Sequence, residues 1–140
     1  MAEGGGHTFD LSLVTPEGAA FEGEAEMVVV PGDAGEIGVL ARHAPLVALL
    51  RAGEVRVKSE GEWRSFATGP GYFQVRRDRA IALVDDAVRA EEIDVEAARR
   101  EAEEARALLE RGEGDEDFDR WQAEQRLRHA ETKLSLGGGG

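Results

Sequence analysis

Cysteine is absent from the chain, which excludes disulfides, thiolate nucleophiles and thiolate metal ligands. Long apolar runs are absent too: none approaches the roughly 18 residues that a membrane-crossing helix needs. The stretch Met1-Ala2-Glu3-Gly4-Gly5-Gly6 lacks the basic start and apolar core of a secretory signal. These absences predict a cytoplasmic protein. Lysine is scarce, with Lys58 and Lys133 as its two instances, and the formal net charge is −12. A nucleic-acid partner requires clustered cations that displace counterions, so none is predicted. Anionic lipid would repel the chain, and direct lipid insertion is not expected.

Residues that carry chemistry are also few. His7, His43 and His129 fall in a tail, a loop and a helix, with no ligand-like spacing between any pair, so no metal is predicted. There is no nucleophile elbow and no phosphate loop with lysine. Gly69-Pro70-Gly71 lacks a following helix and lysine and reads as a hairpin turn. No cofactor is expected. A small cupin-like enzyme would need a His/Glu metal set that the chain does not offer.

What is present divides the chain in two. Apolar residues make up 41% of the 140, enough for one modest core. Pro16, Pro31, Pro45 and Pro70 all lie in the first half, and no glycine or proline occurs between Tyr72 and Arg111. That shift marks a change from turn-punctuated strands to helix, with a boundary at about 85–93. In the first part Phe9, Leu11 and Leu13 alternate with Asp10 and Ser12, and Val55 and Val57 with Glu54, Arg56 and Lys58. Phe73 and Val75 flank Gln74, and Ile81 and Leu83 follow on one face. Alternation of this kind means strands with one buried and one wet face. Turn signals at Pro16-Glu17-Gly18, Pro31-Gly32-Asp33, Glu60-Gly61-Glu62, Gly69-Pro70-Gly71 and Arg77-Asp78 separate them. This spacing predicts an antiparallel β-sandwich or barrel. Glu26 to Val30 does not alternate, which predicts a central strand covered on both faces.

The second part reads as two helices. Asp94 is the N-cap of the first, and Ala98, Ala102, Ala105 and Leu109 form one face. Gly112 and Gly114 end it, as a left-handed cap costs glycine least. Asp115 to Asp119 opens the second helix with the acidic residues that its dipole favours. Ala123, Leu127, Ala130 and Leu134 repeat the spacing. The short link predicts an antiparallel hairpin. The fold class is therefore α+β by segments: a sandwich over 1–88, a helical hairpin over 89–136 and a flexible tail over 137–140. An alanine and leucine seam this short buries little area, worth a few kcal/mol at roughly 25 cal/mol per Å², so the hairpin is predicted to open easily.

Between Asp85 and Asp117, 14 Asp and Glu face 5 Arg, a local charge of −9. This reads as a solvated helix face with intrahelical pairs such as Glu96–Arg100 and Glu101–Arg106. The segment Gly32 to Pro45 carries glycines around Glu36, then Ile37, Val39 and Leu40, then His43. It reads either as a strand with a long turn or as an exposed knob offering a carboxylate and an imidazole to a partner.

Several stretches, in order, carry a resemblance: Val14-Thr15-Pro16-Glu17-Gly18, Phe21-Glu22-Gly23-Glu24, Val28-Val29-Val30-Pro31-Gly32, Gly35-Glu36-Ile37-Gly38-Val39-Leu40 and His43-Ala44-Pro45-Leu46. Gly53-Glu54-Val55-Arg56-Val57, Gly71-Tyr72-Phe73-Gln74-Val75, Ala90-Glu91-Glu92-Ile93-Asp94 and the alanine-rich hairpin complete it. On these the chain resembles the epsilon subunits of bacterial and chloroplast F-type ATP synthases. The resemblance implies a non-catalytic rotor subunit, peripheral on the cytoplasmic face of the cell membrane. It implies a sandwich docked on the gamma subunit and the c-ring, with Glu36 and His43 facing the ring. It also implies a hairpin that either folds on the sandwich or extends along gamma into the catalytic alpha and beta subunits, blocking ATP hydrolysis. Arg120, Arg126, Arg128 and Lys133 would make the inhibitory contacts there. A free-standing regulatory adaptor of the same fold is the alternative.

One departure stands out. Some members of that family bind ATP through an (I/L)-D-x-x-R-A motif, and here the stretch reads Ile93-Asp94-Val95-Glu96-Ala97-Ala98. Ala97 replaces the arginine, and His129 and Lys133 align with further arginines on the second helix. The expectation is weak ATP binding or none.

Overall fold

The computed structural model describes residues 7–112, 114 and 116–138. Ten strands come first: β1 (Phe9–Thr15), β2 (Gly18–Ala25), β3 (Met27–Gly32), β4 (Gly35–Leu40), β5 (Leu46–Leu50), β6 (Gly53–Ser59), β7 (Glu62–Thr68), β8 (Gly71–Arg76), β9 (Arg79–Val84) and β10 (Ala87–Arg89). A 3-10 turn (Ala90–Glu92) leads into α1 (Val95–Arg111) and α2 (Arg120–Gly138). The β-sandwich followed by a helix pair, expected from patterning, is the architecture found.

The strand order is β10-β7-β6-β3-β5-β8-β9-β1-β2, with β4 paired to β3 off this path. The two halves join at a single paired position, Gly32 with Leu50, where the sheet folds back on itself. Phe9, Leu11, Leu13, Phe73 and Val75 from one half meet Val28, Val30, Val55, Val57 and Phe66 from the other in one core. The alternating residues of β1 and β6 are buried as predicted. β3 is buried along nearly its whole length, as its non-alternating sequence requires.

Several details differ from expectation. β1 pairs with β9 in parallel, whereas every other strand pair is antiparallel. In β9 the inward residues are Ala80, Ala82 and Val84, while Ile81 and Leu83 lie on the outer face. Small residues are placed inside because Phe73, opposite Ala82, already fills the space. Pro31 and Gly32 belong to β3, so the turn to β4 is Asp33-Ala34. The segment 32–45 is thus a strand and two connections, not one knob. Gly69-Pro70-Gly71 is not a hairpin turn, because β7 and β8 lie in different halves of the sheet. Gly71 is required there: a Cβ would fall 1.8 Å from the backbone oxygen of Leu83.

Asp94 caps α1 as predicted, its Oδ1 accepting from the Ala97 N–H at 3.1 Å. Gly112 ends the helix in the right-handed region (φ −77°), and it is Gly114, at φ 88°, that takes the left-handed conformation expected of the pair. The need for glycine at Gly112 is steric, since a Cβ would lie 2.4 Å from the Phe118 ring. Asp119 caps α2 by accepting from the Gln122 N–H at 3.0 Å. α2 begins at Arg120, so Glu116 and Asp117, expected to open it, lie in the turn before it, while Asp115 lies outside the described residues, as do Gly139 and Gly140; Gly137 and Gly138, expected in the flexible tail, belong to α2. The helices are antiparallel: Lys133 pairs with Glu101 at 2.9 Å and Arg106 with Glu131 at 3.5 Å. The expected Glu101–Arg106 pair is replaced by these two bridges across the seam. Glu96 pairs with Arg99 rather than Arg100, because i, i+3 neighbours share a face as readily as i, i+4. Ala98, Ala102 and Ala105 of α1 and Ala123 and Ala130 of α2 are buried.

Phe73 is fully buried. Phe73→Ala should destabilise the sandwich by about 3–5 kcal/mol in urea unfolding; a loss under ~1 kcal/mol would mean that the core is not packed as described.

Candidate functional site

Folding one sheet into two facing halves forces the chain to cross between them. Three crossings fall at one end of the sandwich: 51–52 between β5 and β6, 69–70 between β7 and β8, and 85–86 between β9 and β10. Backbone groups at such corners leave the strand ladders and need other partners. Two corners satisfy each other, with the Gly69 N–H donating to Asp86 O at 3.0 Å and the Asp85 N–H to Pro70 O at 3.1 Å. At the third, the Arg51 N–H reaches Pro31 O at 3.0 Å. The Ala52 N–H instead donates to Oε1 of Gln125, on α2, at 2.6 Å.

The helix pair is seated on these corners. Gln125 is buried. One turn on, His129 Nε2 lies 2.7 Å from Asp86 Oδ2, and its ring is largely buried. One further turn on is Lys133, bonded to Glu101 and only 13% exposed. Beside them a cleft of about 390 Å³ opens between the 85–86 corner and the helices, with Arg126, Glu101 and Glu104 on its walls. The His129 hydrogen bond holds the Asp86 carboxyl below the usual carboxylate range, against the opposing effect of burial. Partial desolvation raises the Asp85 carboxyl above that range; His129 opposes the shift and the neighbouring Asp86 adds to it. The two adjacent carboxyls are thus shifted in opposite directions, Asp86 down by its partner and Asp85 up.

The residues singled out in the sequence are distributed over the molecule. Glu36 opens β4, is 60% exposed and lies 3.5 Å from Arg56 Nη2. His43 sits in the loop beyond the far end of β4, its Nδ1 2.7 Å from Ala44 O. Leu40 alone is roughly 13 Å along the strand from Glu36, so the two are not brought together. Ile93, Asp94, Ala97 and Ala98 stand at the start of α1, but Asp94 is engaged as a cap and Ala98 lies in the helix seam. Arg120 lies over the Phe118 ring at 6.0 Å. Arg126 faces the 390 Å³ cleft, while Arg128 faces a different one beside Pro31, Glu36 and Arg51. Among the described residues no cluster of His, Asp and Glu forms a metal site.

Sequence reasoning missed an apolar outer face. Val47 and Leu49 of β5 are 71% and 69% exposed. Leu49 pairs with Tyr72, Tyr72 with Leu83 and Leu83 with Val14, which makes a cross-strand row on the side away from the core. Trp121 of α2 borders it beside Leu49 and Tyr72. The signal was present: Leu46 to Leu50 reads LVALL, apolar on both faces of a strand. Among the described residues one of those faces enters the core and the other, with Val47 and Leu49, stays mostly exposed. Gln125 was missed because one buried amide on a polar helix side has no pattern of its own.

The family model for the ATP synthase, Delta/Epsilon chain, beta-sandwich domain matches residues 8–90, and that for the long alpha-helix domain matches residues 91–137. The ATP synthase epsilon chain of Shouchella clausii is 40% identical, over 92% of this chain and 94% of its own length. The sodium ion specific epsilon chain of Propionigenium modestum is 39% identical, over 92% and 93%. Among solved structures, a chain of the Euglena gracilis mitochondrial ATP synthase, in an assembly of OSCP, F1 and c-ring, is 28% identical. Its TM-score is 0.73, over 94% of this chain and 84% of that one.

The lowered Asp86 pKa fixes the sign of an acid effect. Its contribution to stability is complete above the ordinary aspartate range, near pH 4, and is lost as pH falls through the lower folded value. The difference in Tm between the wild-type protein and Asp86→Asn should be steady from pH 6 to 5 and shrink below about pH 4. A difference that instead grows on acidification would contradict the pairing.

Proposed function

As the chain belongs to the ATP synthase delta/epsilon chain family, whose epsilon chains are non-catalytic subunits of that complex, we propose that it works in the rotating central stalk. There it couples ion-driven turning of the c-ring to the catalytic head and restrains ATP hydrolysis through its two helices. The observation that carries this reading is the juxtaposition of a large exposed apolar sheet face with a lightly seated helix pair. A patch of this kind marks a protein interface. The row through Leu49, Tyr72 and Leu83, with Val47 beside it, seats the gamma subunit. Glu36 and His43, at the two ends of β4, meet the c-ring. Their separation requires a ring surface that runs along the strand.

The helix pair supplies the restraint. Its seam is mostly alanine, so the folded and extended positions differ by a few kcal/mol at most. Arg120, Arg126, Arg128 and Lys133 make the inhibitory contacts with acidic parts of the catalytic alpha and beta subunits. Of these, Lys133 is tied to Glu101 in the folded position and becomes available only when α2 leaves α1. ATP does not steady the folded position: Asp94 is already spent on its cap, Ala97 supplies no guanidinium, and Glu101 and Glu104 line the adjoining cleft. No helix among the described residues is long and apolar enough to cross a membrane, so attachment to the cytoplasmic face runs through the complex.

Removing residues 115–140 should raise ATPase activity of the assembled complex several-fold and leave assembly intact; unchanged hydrolysis would count against restraint. Leu49→Asp should weaken capture of the gamma subunit at least tenfold while the isolated chain stays folded by circular dichroism. Undiminished capture would move the gamma site off this face.

A further inference from the structure

The alanine seam explains why the helices can part, but not why they rest where they do. The buried seam is small, Ala98, Ala102 and Ala105 against Ala123 and Ala130 with Leu127 and Leu134 half-buried between and beyond them, and apolar contacts of this size are non-directional, so they set the register weakly. Gln125, His129 and Lys133 are spaced by four and share one face of α2. Each meets a different element: Gln125 the 51–52 corner at 2.6 Å, His129 the 85–86 corner at 2.7 Å, and Lys133 α1 at 2.9 Å. Directional polar contacts of this kind fix register where apolar packing leaves it open.

We propose that Gln125, His129 and Lys133 form a latch that sets the folded position of the helix pair, with the Asp86–His129 contact as its decisive element. This rests on the reading that the helices can leave the sandwich. His129 is decisive for a structural reason. Its Nδ1 is buried with no hydrogen-bond partner, so Asp86 is the ring's polar anchor. Without Asp86, the closed state holds an imidazole with both nitrogens unpaired, and opening restores water to both. The Ala52 N–H behaves alike, since on release it meets solvent. The latch is therefore specific when shut and inexpensive to undo, as a reversible subunit requires. Its partners on the sandwich are corner groups outside the strand ladders, so opening disturbs no β-sheet hydrogen bond.

The test uses the full chain, which has no cysteine of its own. Spin labels go on Glu17→Cys and Glu124→Cys, both exposed, and pulsed electron resonance reads the distance between them. The unaltered latch should give one dominant distance. Asp86→Ala and His129→Ala should each raise the ratio of a second, longer distance to the first by about tenfold. The double variant should go no further than either single one, and Asp86→Asn, which keeps the shape, should fall between. Strand content by circular dichroism should stay unchanged throughout. If the single variants leave the distances alone while Ala102→Glu, placed in the buried seam, separates the helices, the latch is wrong and the mobile-helix reading survives. If no variant, Ala102→Glu included, yields the longer distance, both fall.

Discussion

The helix pair is held by polar groups that stand at the corners of the sheet, one of them backbone and one a side chain. Two facing halves cannot be made from one chain without crossings, and crossings take amides and carbonyls out of register. Most of these groups at the 51–52, 69–70 and 85–86 corners find each other. The Ala52 N–H finds Gln125, and the Asp86 carboxylate finds His129. A buried donor without a partner costs about 1–3 kcal/mol, so α2 completes the sandwich end and is anchored by it at once.

This arrangement separates two kinds of stability. The sandwich draws on a large core in which Phe66, Phe73, Leu11 and Leu13 are almost wholly removed from water. The helix pair draws on methyl groups, the exposed Arg106–Glu131 bridge and the short polar stripe of Gln125, His129 and Lys133. Exposed ion pairs contribute roughly 0–1 kcal/mol each. The chain therefore combines a strongly packed body with an appendage held by far less buried area.

Much of this was legible in the primary structure. Alternation at Phe9, Leu11, Leu13 and at Val55, Val57 marked buried faces, Asp94 marked a helix start, and the loss of glycine and proline after Tyr72 marked the change of class. Motifs such as Gly35-Glu36-Ile37-Gly38-Val39-Leu40 with His43-Ala44-Pro45-Leu46 pointed to the family that the comparisons then established. The misreadings share a cause. Ile81 and Leu83 were set on the buried face because apolar residues were equated with the core, yet the outer face of β9 is apolar as well. Gly69-Pro70-Gly71 looked like a hairpin because turn chemistry does not reveal which strands it joins.

The sequence by itself determined the periodicities, and hence a strand-rich body followed by two helices, since those follow from steps of two and 3.6 residues. It also determined the absence of thiol chemistry and the acidic charge. Only the tertiary structure decided which residues distant along the chain share hydrogen bonds: Gln125 with Ala52, His129 with Asp86, Lys133 with Glu101. Such pairings depend on where the halves of the sheet cross. Crossing points are set by the packing of the whole core, which no local window of residues contains.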